Sequence, residues 1–245
     1  MSDALVCFER GGAVVTLTLN RPGKRNALSL ALWGELAAHL DTIERLGDAV
    51  AVVVLRAAGP VFCAGNDLTE RGAPAPAPSY QAKLVTRLAD LPQAVIVAVQ
   101  GGCFTGGLEL ALAGDIIVAS ESASFADTHG KFALVPVWGM SQRLPRRVGQ
   151  WKAREMSLTG LAVSGTEAAR IGLANHCVAD GELDAKVAEL ATAIAAQSRH
   201  STFALKRLYR EAADLPLAAG LAHEVFASAG VGPDLAERVA GRFGK

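Results

Sequence analysis

The stretch AVIVAVQGGCFTGGLELALAGDIIVAS, residues 94–120, carries the reading of the whole chain. AVIVAVQG at 94–101 is nearly all apolar and rich in β-branched residues, the pattern of a strand covered on both faces. The run that follows Gly106 and Gly107 reads as a buried helix, and DIIVAS at 115–120 returns to strand. A strand, a glycine turn, a helix and a second strand in that order predict an α/β fold. One residue does not suit a buried helix: Glu109, set among Leu108, Leu110 and Leu112.

Working outward, AVVTLTL at 13–19 reads as a strand, and NRPGKRNALS after it is a turn carrying three cations. Ser29 is placed to cap a helix running to about Arg45, with Leu32, Leu36 and Leu40 four apart on its apolar face. AVAVVVLRA at 49–57 is a second buried strand, and GPVFCAGNDL turns the chain after it. The alternating GAPAPAPS at 72–79 cannot continue a helix and reads as a mobile loop. A helix is expected over 80–90. Downstream, DIIVAS and ASFAD are expected to form a short strand pair. After Trp138 the segments QRLPRRVG, WKAREMSLTG and SGTEAARIGL turn helical, and the chain from about Leu183 is mostly helix, a separate terminal layer.

Composition bounds the function. Hydrophobic residues make up 51% and charged residues 20%, which supports a packed core and argues against disorder. Lys+Arg and Asp+Glu are both 24, so the basic excess of a nucleic-acid surface is missing. Cys7, Cys63, Cys103 and Cys177 are scattered without a CxxC pair and read as reduced, buried, small apolar side chains rather than metal ligands. No secretory signal is visible in MSDALVCFERGG, and no apolar run reaches the roughly 18 residues of a membrane span. A soluble cytoplasmic protein is the expectation.

The glycines give Glu109 a context. The first amides of a helix lack internal partners and sit at the positive end of its dipole. Without a Cβ, Gly106 can bring its N–H close to an oxygen that gains negative charge, and one such donor is worth about 3 kcal/mol in a transition state. Glu109 lies in the first turn, where a carboxylate serves either the free amides of the helix or a reaction. GGCFTGG matches neither a phosphate loop ending in Gly-Lys-Ser/Thr nor GxGxxG. GPVFCAGNDL, residues 59–68, also follows a buried strand and bends at Gly65, so the amide of Asn66 is a candidate second donor. Two amides from two strand-to-helix turns make an oxyanion hole. Cys63 is the rival feature, a thiol nucleophile without an adjacent base.

These segments together resemble the enoyl-CoA hydratase/isomerase (crotonase) superfamily. LNRPGKRNALS resembles its first signature, and VFCAGNDL its FxAGxDL turn. GGCFTGGLELALAGDIIVAS is similar to its GxxxGGGxELxxxxDIxxA segment. FADTHGKFALVPVWGMSQRLPRRVG is similar to its FxxPExxxGxxPxxGxxxRLxxxxG segment. Four ordered motifs across nearly the whole chain make the resemblance specific.

The resemblance implies a spiral of ββα turns over 1–190, an acyl-CoA-binding core, with a C-terminal helical oligomerisation region over 191–245. It implies an acyl-CoA thioester substrate, homotrimers or homohexamers, no nucleic-acid or membrane partner, and no metal or redox cofactor, coenzyme A being part of the substrate. The amides of Asn66 and Gly106 would hold the thioester oxygen. Ala64, Asp67 and Leu68 would meet the CoA moiety, with Arg21, Lys24 and Arg25 near its phosphates. Glu109 falls on the first catalytic glutamate, which deprotonates water. The second glutamate position is occupied by His129, which can also donate or accept a proton near neutral pH. Asp127, on the same side of an extended segment, would orient the imidazole or act as the acid itself. Trp138 replaces a small residue and would either narrow the acyl pocket or fill core space. The proline-alanine loop falls where the family varies its acyl tunnel, and AGRFGK ends sooner than many relatives. Hydration of a 2-enoyl-CoA is the expected reaction, with double-bond isomerisation or non-catalytic acyl-CoA binding as alternatives.

Overall fold

A computed structural model describes residues 4–70 and 75–243, so the start of the proline-alanine loop, residues 72–74, lies outside the described residues. The chain starts as a hairpin of β1 (Val6–Gly11) and β2 (Val14–Leu19), paired antiparallel from Val6 opposite Leu19 to Gly11 opposite Val14. The first of these strands escaped the sequence reading. α1 (Leu30–Leu46) follows, its first turn capped by Ser29, whose hydroxyl accepts the Leu32 N–H at 3.2 Å. Leu32, Trp33, Leu36, Leu40 and Ile43 are fully buried on one stripe, the spacing that places side chains on a single helix face.

β3 (Val52–Ala57), α2 (Tyr80–Asp90) and β4 (Ala94–Val99) come next, and β3 pairs parallel with both β2 and β4. After β4 the chain turns a corner into β5 (Gly102–Phe104), which belongs to a different sheet. The corner is Gly101, at φ +54°, where a Cβ would lie 1.9 Å from the Pro60 carbonyl oxygen, so only glycine fits. α3 (Gly106–Ala111) then leads to β6 (Ile116–Ser120) in the first sheet, and a second corner leads to β7 (Ser124–Ala126), parallel to β5. The expectation that β6 and β7 pair with each other is corrected here: they sit in separate sheets, one on each side of the corner.

The remaining elements are α4 (Met140–Val148), α5 (Gln150–Thr159), β8 (Val163–Ser164), α6 (Gly165–Arg170), β9 (His176–Val178), α7 (Leu183–Ala195), α8 (Arg199–Ala212), α9 (Leu217–Ala227) and α10 (Leu235–Phe243). The large sheet has the order β1-β2-β3-β4-β6-β9, and the small one β5-β7-β8. Cys63 bridges in parallel to Cys103 of β5, so the turn after β3 also steps into the small sheet. Three successive turns of chain thus pass from the large sheet to the small one, a spiral of strand, corner, strand and helix.

One face of the large sheet packs Val15, Leu17, Val53, Leu55, Val95 and Val97 against the α1 stripe. The other packs Val52, Val54, Ile96, Ala98 and Val118 against Leu183, Val187 and Ala191 of α7. The boundary expected at residue 190 falls inside this helix. α8 and α9 have no buried residues, and their Tyr209, Leu217, Val225 and Phe226 are exposed. Cys63 and Cys103 are buried as expected, whereas Cys7 and Cys177 are only half-buried. No helix among the described residues is long and apolar enough to cross a membrane.

Candidate active site

A cleft of about 520 Å³ opens where the three spiral turns, after β3, β5 and β7, meet. Glu109, His129, Asn66, Gly106, Thr105 and Trp138 line it, beside Lys24, Arg25, Ala64, Asp67 and Leu68. All the residues that the resemblance assigns to the site therefore face one space, except Arg21 and Asp127.

Glu109 is 2% exposed, and its two oxygens have different tasks. Oε1 accepts the backbone N–H groups of Trp138 at 2.8 Å and Met140 at 3.1 Å. Oε2 faces the His129 imidazole, 3.6 Å from Nε2. Burial pushes the carboxyl above the ordinary glutamate range, against the opposing pull of the two amides and of His129. The loop that offers those amides is held by Arg143, which donates to the Trp138 carbonyl at 2.8 Å.

His129 starts a short 3-10 turn, His129–Phe132, separated from the end of β7 by two residues. The segment is not extended here, which corrects the expectation that Asp127 and His129 share a side through strand geometry. They meet by a tighter route: Asp127 Oδ1 accepts the His129 backbone N–H at 3.2 Å and Nδ1 at 2.6 Å. Asp127 is 2% exposed and lies behind the imidazole rather than in the cleft. Burial alone would raise its carboxyl, but hydrogen bonds from His129 and Ser157 outweigh it and hold Asp127 below the ordinary range. An ionised Asp127 accepting from Nδ1 leaves Nε2 as the nitrogen that faces Glu109.

The two candidate donors converge. A Cβ on Gly65 would lie 3.4 Å from Gly106 N, and one on Gly106 would lie 3.3 Å from Asn66 N. Among the described residues neither the Asn66 nor the Gly106 N–H meets an acceptor. Gly106 is also pressed by Trp138, whose Cζ3 would be 2.4 Å from any Cβ there. Trp138 is 9% exposed and packs edge-on against Trp33, ring centres 5.2 Å apart, so the indole both fills core space and walls the cleft. Cys63 is no nucleophile: it is fully buried, its thiol sits 3.1 Å from the Asn26 carbonyl, and burial pushes it up to about 12.

The cations divide. Lys24 and Arg25 are exposed at the cleft mouth. Arg21 does not line the cleft; it donates to Asp67 at 2.5 Å and to the Ala27 carbonyl at 3.1 Å. Hydrogen bonds from Thr69 and then Arg21 lower Asp67 to about 2. Asn26, buried and unforeseen, accepts the Arg21 N–H and donates to the Ala58 and Val61 carbonyls. It thereby fixes the turn that presents Asn66. No group of three or more His, Cys, Asp or Glu among the described residues is arranged to hold a metal ion.

Also unforeseen are Phe132, Leu134, Val135 and Val137, which make one rim of the cleft apolar, and Thr105, the residue before α3. Thr105 adopts φ +53°, a left-handed conformation that is a steric outlier for a β-branched residue and costs about 1–3 kcal/mol. The signal was in the sequence: the GGG of the resembled pattern falls on 105–107, and this chain has threonine at its first position.

A protein-family model described as enoyl-CoA hydratase/isomerase matches residues 9–229. The Arabidopsis thaliana protein named "Probable enoyl-CoA hydratase 1, peroxisomal" is 35% identical over 227 residues, 91% of this chain and 85% of that one. Among solved structures, the enoyl-CoA hydratase from Bacillus anthracis superposes with a TM-score of 0.91 at 34% identity, covering 97% of this chain and 96% of the other. A Thermobifida fusca YX protein solved in complex with acetoacetyl-CoA superposes with a TM-score of 0.83 at 32% identity, covering 91% of this chain and 93% of that one.

Proposed function

This chain belongs to the enoyl-CoA hydratase/isomerase family, and from that premise we propose that it is an enoyl-CoA hydratase adding water across the double bond of a 2-enoyl-CoA thioester. The observation that carries the reading is the pairing of two unpartnered, converging amides, Asn66 and Gly106, with a buried carboxylate whose free oxygen faces an imidazole. The thioester carbonyl oxygen accepts both amides, which stabilise the negative charge that grows there as an enolate forms. Glu109 Oε2 takes a proton from water while the water oxygen bonds the β-carbon. When its Nε2 holds a proton, His129 gives it to the α-carbon and is reset by the proton that Glu109 gained. Asp127 keeps the other imidazole proton on Nδ1 throughout.

Lys24 and Arg25 at the mouth suit CoA phosphates, with Ala64, Asp67 and Leu68 along the nucleotide path. The apolar rim from Phe132 to Trp138 suits the acyl chain. The exposed apolar faces of the C-terminal helices fit assembly into trimers or hexamers. A second reading is isomerisation, which the presence of one glutamate rather than two favours, since moving a double bond needs only one base beside the oxyanion hole.

The test is a panel of short, medium and aryl 2-enoyl-CoAs, following loss of the conjugated enoyl-thioester absorbance, with Glu109→Ala as control. Loss that depends on Glu109 and yields 3-hydroxyacyl-CoA is the expected result. No loss despite measurable binding of CoA thioesters overturns hydration and makes 3-enoyl-CoAs the next substrates.

A further inference from the structure

Thr105 holds a conformation that glycine would adopt without steric cost, and it does so at the entrance to the helix that carries Glu109. Strain of this kind persists only where the surroundings over-determine it. Here they do. The Thr105 N–H donates to the Ala126 carbonyl at 2.9 Å, which pins the residue to the end of β7. Its hydroxyl shares a hydrogen bond with the Thr128 hydroxyl and accepts the Thr128 N–H at 3.3 Å. Thr128 immediately precedes His129, and Thr105 lies four residues before Glu109. Glycine would keep the backbone bond to Ala126 and lose both hydroxyl contacts.

We propose that Thr105 is a positioning residue, whose hydroxyl, bound to Thr128, clamps the turn carrying His129 to the helix carrying Glu109 and so sets the spacing of the acid/base pair. The proposal rests on the reading of Glu109 and His129 as that pair. Without the clamp, the β5–β7 pairing and the Thr105–Ala126 backbone bond still hold the two segments together, but they end before Asp127, and the 3.6 Å approach of Nε2 to Oε2 loses the side-chain tie at the residue next to His129. The threonine thus trades backbone ease for a side-chain bond between the two halves of the site.

The decisive variant is Thr105→Gly, because it separates stability from positioning. Glycine relieves the left-handed strain while it deletes the clamp, so the melting temperature stays at or near the wild-type value. kcat falls about ten- to hundred-fold with KM little changed, the size of loss that a small misplacement of reacting groups produces. Thr105→Ser, which restores a hydroxyl, recovers most of that loss, and Thr128→Val, which removes the other hydroxyl, reproduces it. In nitrogen-edited NMR spectra of the substrate-free protein, the His129 imidazole signal, assigned with His129→Gln, is shifted or split in Thr105→Gly. A Thr105→Gly protein that keeps kcat within about twofold, or leaves the His129 signal unmoved, overturns the clamp. If the wild-type protein turns over no 2-enoyl-CoA, the hydratase reading fails instead, and the NMR comparison still decides whether Thr105 positions His129.

Discussion

Burying a carboxylate is unfavourable unless each oxygen is satisfied, and Glu109 meets that condition with only one of them. Oε1 has two amide donors, and Oε2 has an imidazole at 3.6 Å, longer than a hydrogen bond. That asymmetry is what a base needs: one oxygen anchored, the other available. Glu109→Gln keeps the volume and removes the base, so kcat is expected to fall by about 10²- to 10⁴-fold with the fold intact, checked by steady-state kinetics and circular dichroism. The raised carboxyl also predicts a pH profile. A base must be deprotonated to act, and burial moves Glu109 above its ordinary 4.5. Activity therefore declines on acidification at a pH above 4.5, read as the acid limb of kcat/KM; a limb at or below that value contradicts the assignment. Asp127, pulled the opposite way by His129 and Ser157, stays ionised through this range and keeps the imidazole proton on Nδ1.

At the scale of elements, the site is a meeting of strand-to-helix turns, and small residues decide whether they can approach. Gly107 packs on the turn after β3 so closely that a Cβ would sit 2.6 Å from the Cys63 carbonyl oxygen and 2.8 Å from Cys63 Cβ. Gly107→Ala must push α3 away from that turn, with an expected loss of about 1–3 kcal/mol in urea unfolding and a larger loss of activity, because the Asn66 and Gly106 amides separate. A second tie joins the turn before α1 to the same place: Arg21 to Asp67, with Thr69 completing the carboxylate. Asp67 falls from an ordinary 3.8 to about 2 on folding, so its stabilisation is present above about pH 4 and is lost as pH drops toward 2. The difference in melting temperature between wild type and Asp67→Asn is expected to be positive near pH 6 and to shrink across that window. Much of this framework is legible in sequence. The apolar β-branched runs announce β2, β3, β4 and β6, and Ser29 with its four-spaced leucines announces α1. Other parts are not legible, for physical reasons. β1 is mostly outside the core, and β9 is three residues long and only partly buried, so no hydrophobic pattern marks them. The corner at Gly101 sends β5 and β7 to another sheet, which local patterning cannot see. Arg21 looks like a free cation until the fold brings Asp67 to it.

Over the whole molecule, apolar surface is unevenly covered. The large sheet is sealed on both faces, by α1 on one and α7 on the other, but α9 projects Leu217, Leu221 and Val225, spaced by four, to solvent at 79%, 57% and 81% exposure, with Phe226 at 92%. Residues four apart share one face of a helix, so this is a continuous stripe rather than scattered side chains. Val231, Leu235 and Val239, farther along the chain, are also exposed. Contiguous apolar surface on a chain with no net charge favours association, and burying the stripe between copies removes it from water at about 25 cal/mol per Å². The expected outcome is that light scattering coupled to size exclusion gives three or six chains at micromolar concentration. Val225→Asp with Phe226→Asp places two charges at the C-terminal end of the stripe, where an unpaired buried charge is strongly unfavourable, and is expected to shift the protein to a monomer. The active-site residues and the core they rest on are remote in sequence from α9, so circular dichroism and the melting of the core should change far less than the mass. A wild-type monomer, or a double variant that keeps the wild-type mass, would show that the α9 stripe is not the assembly surface.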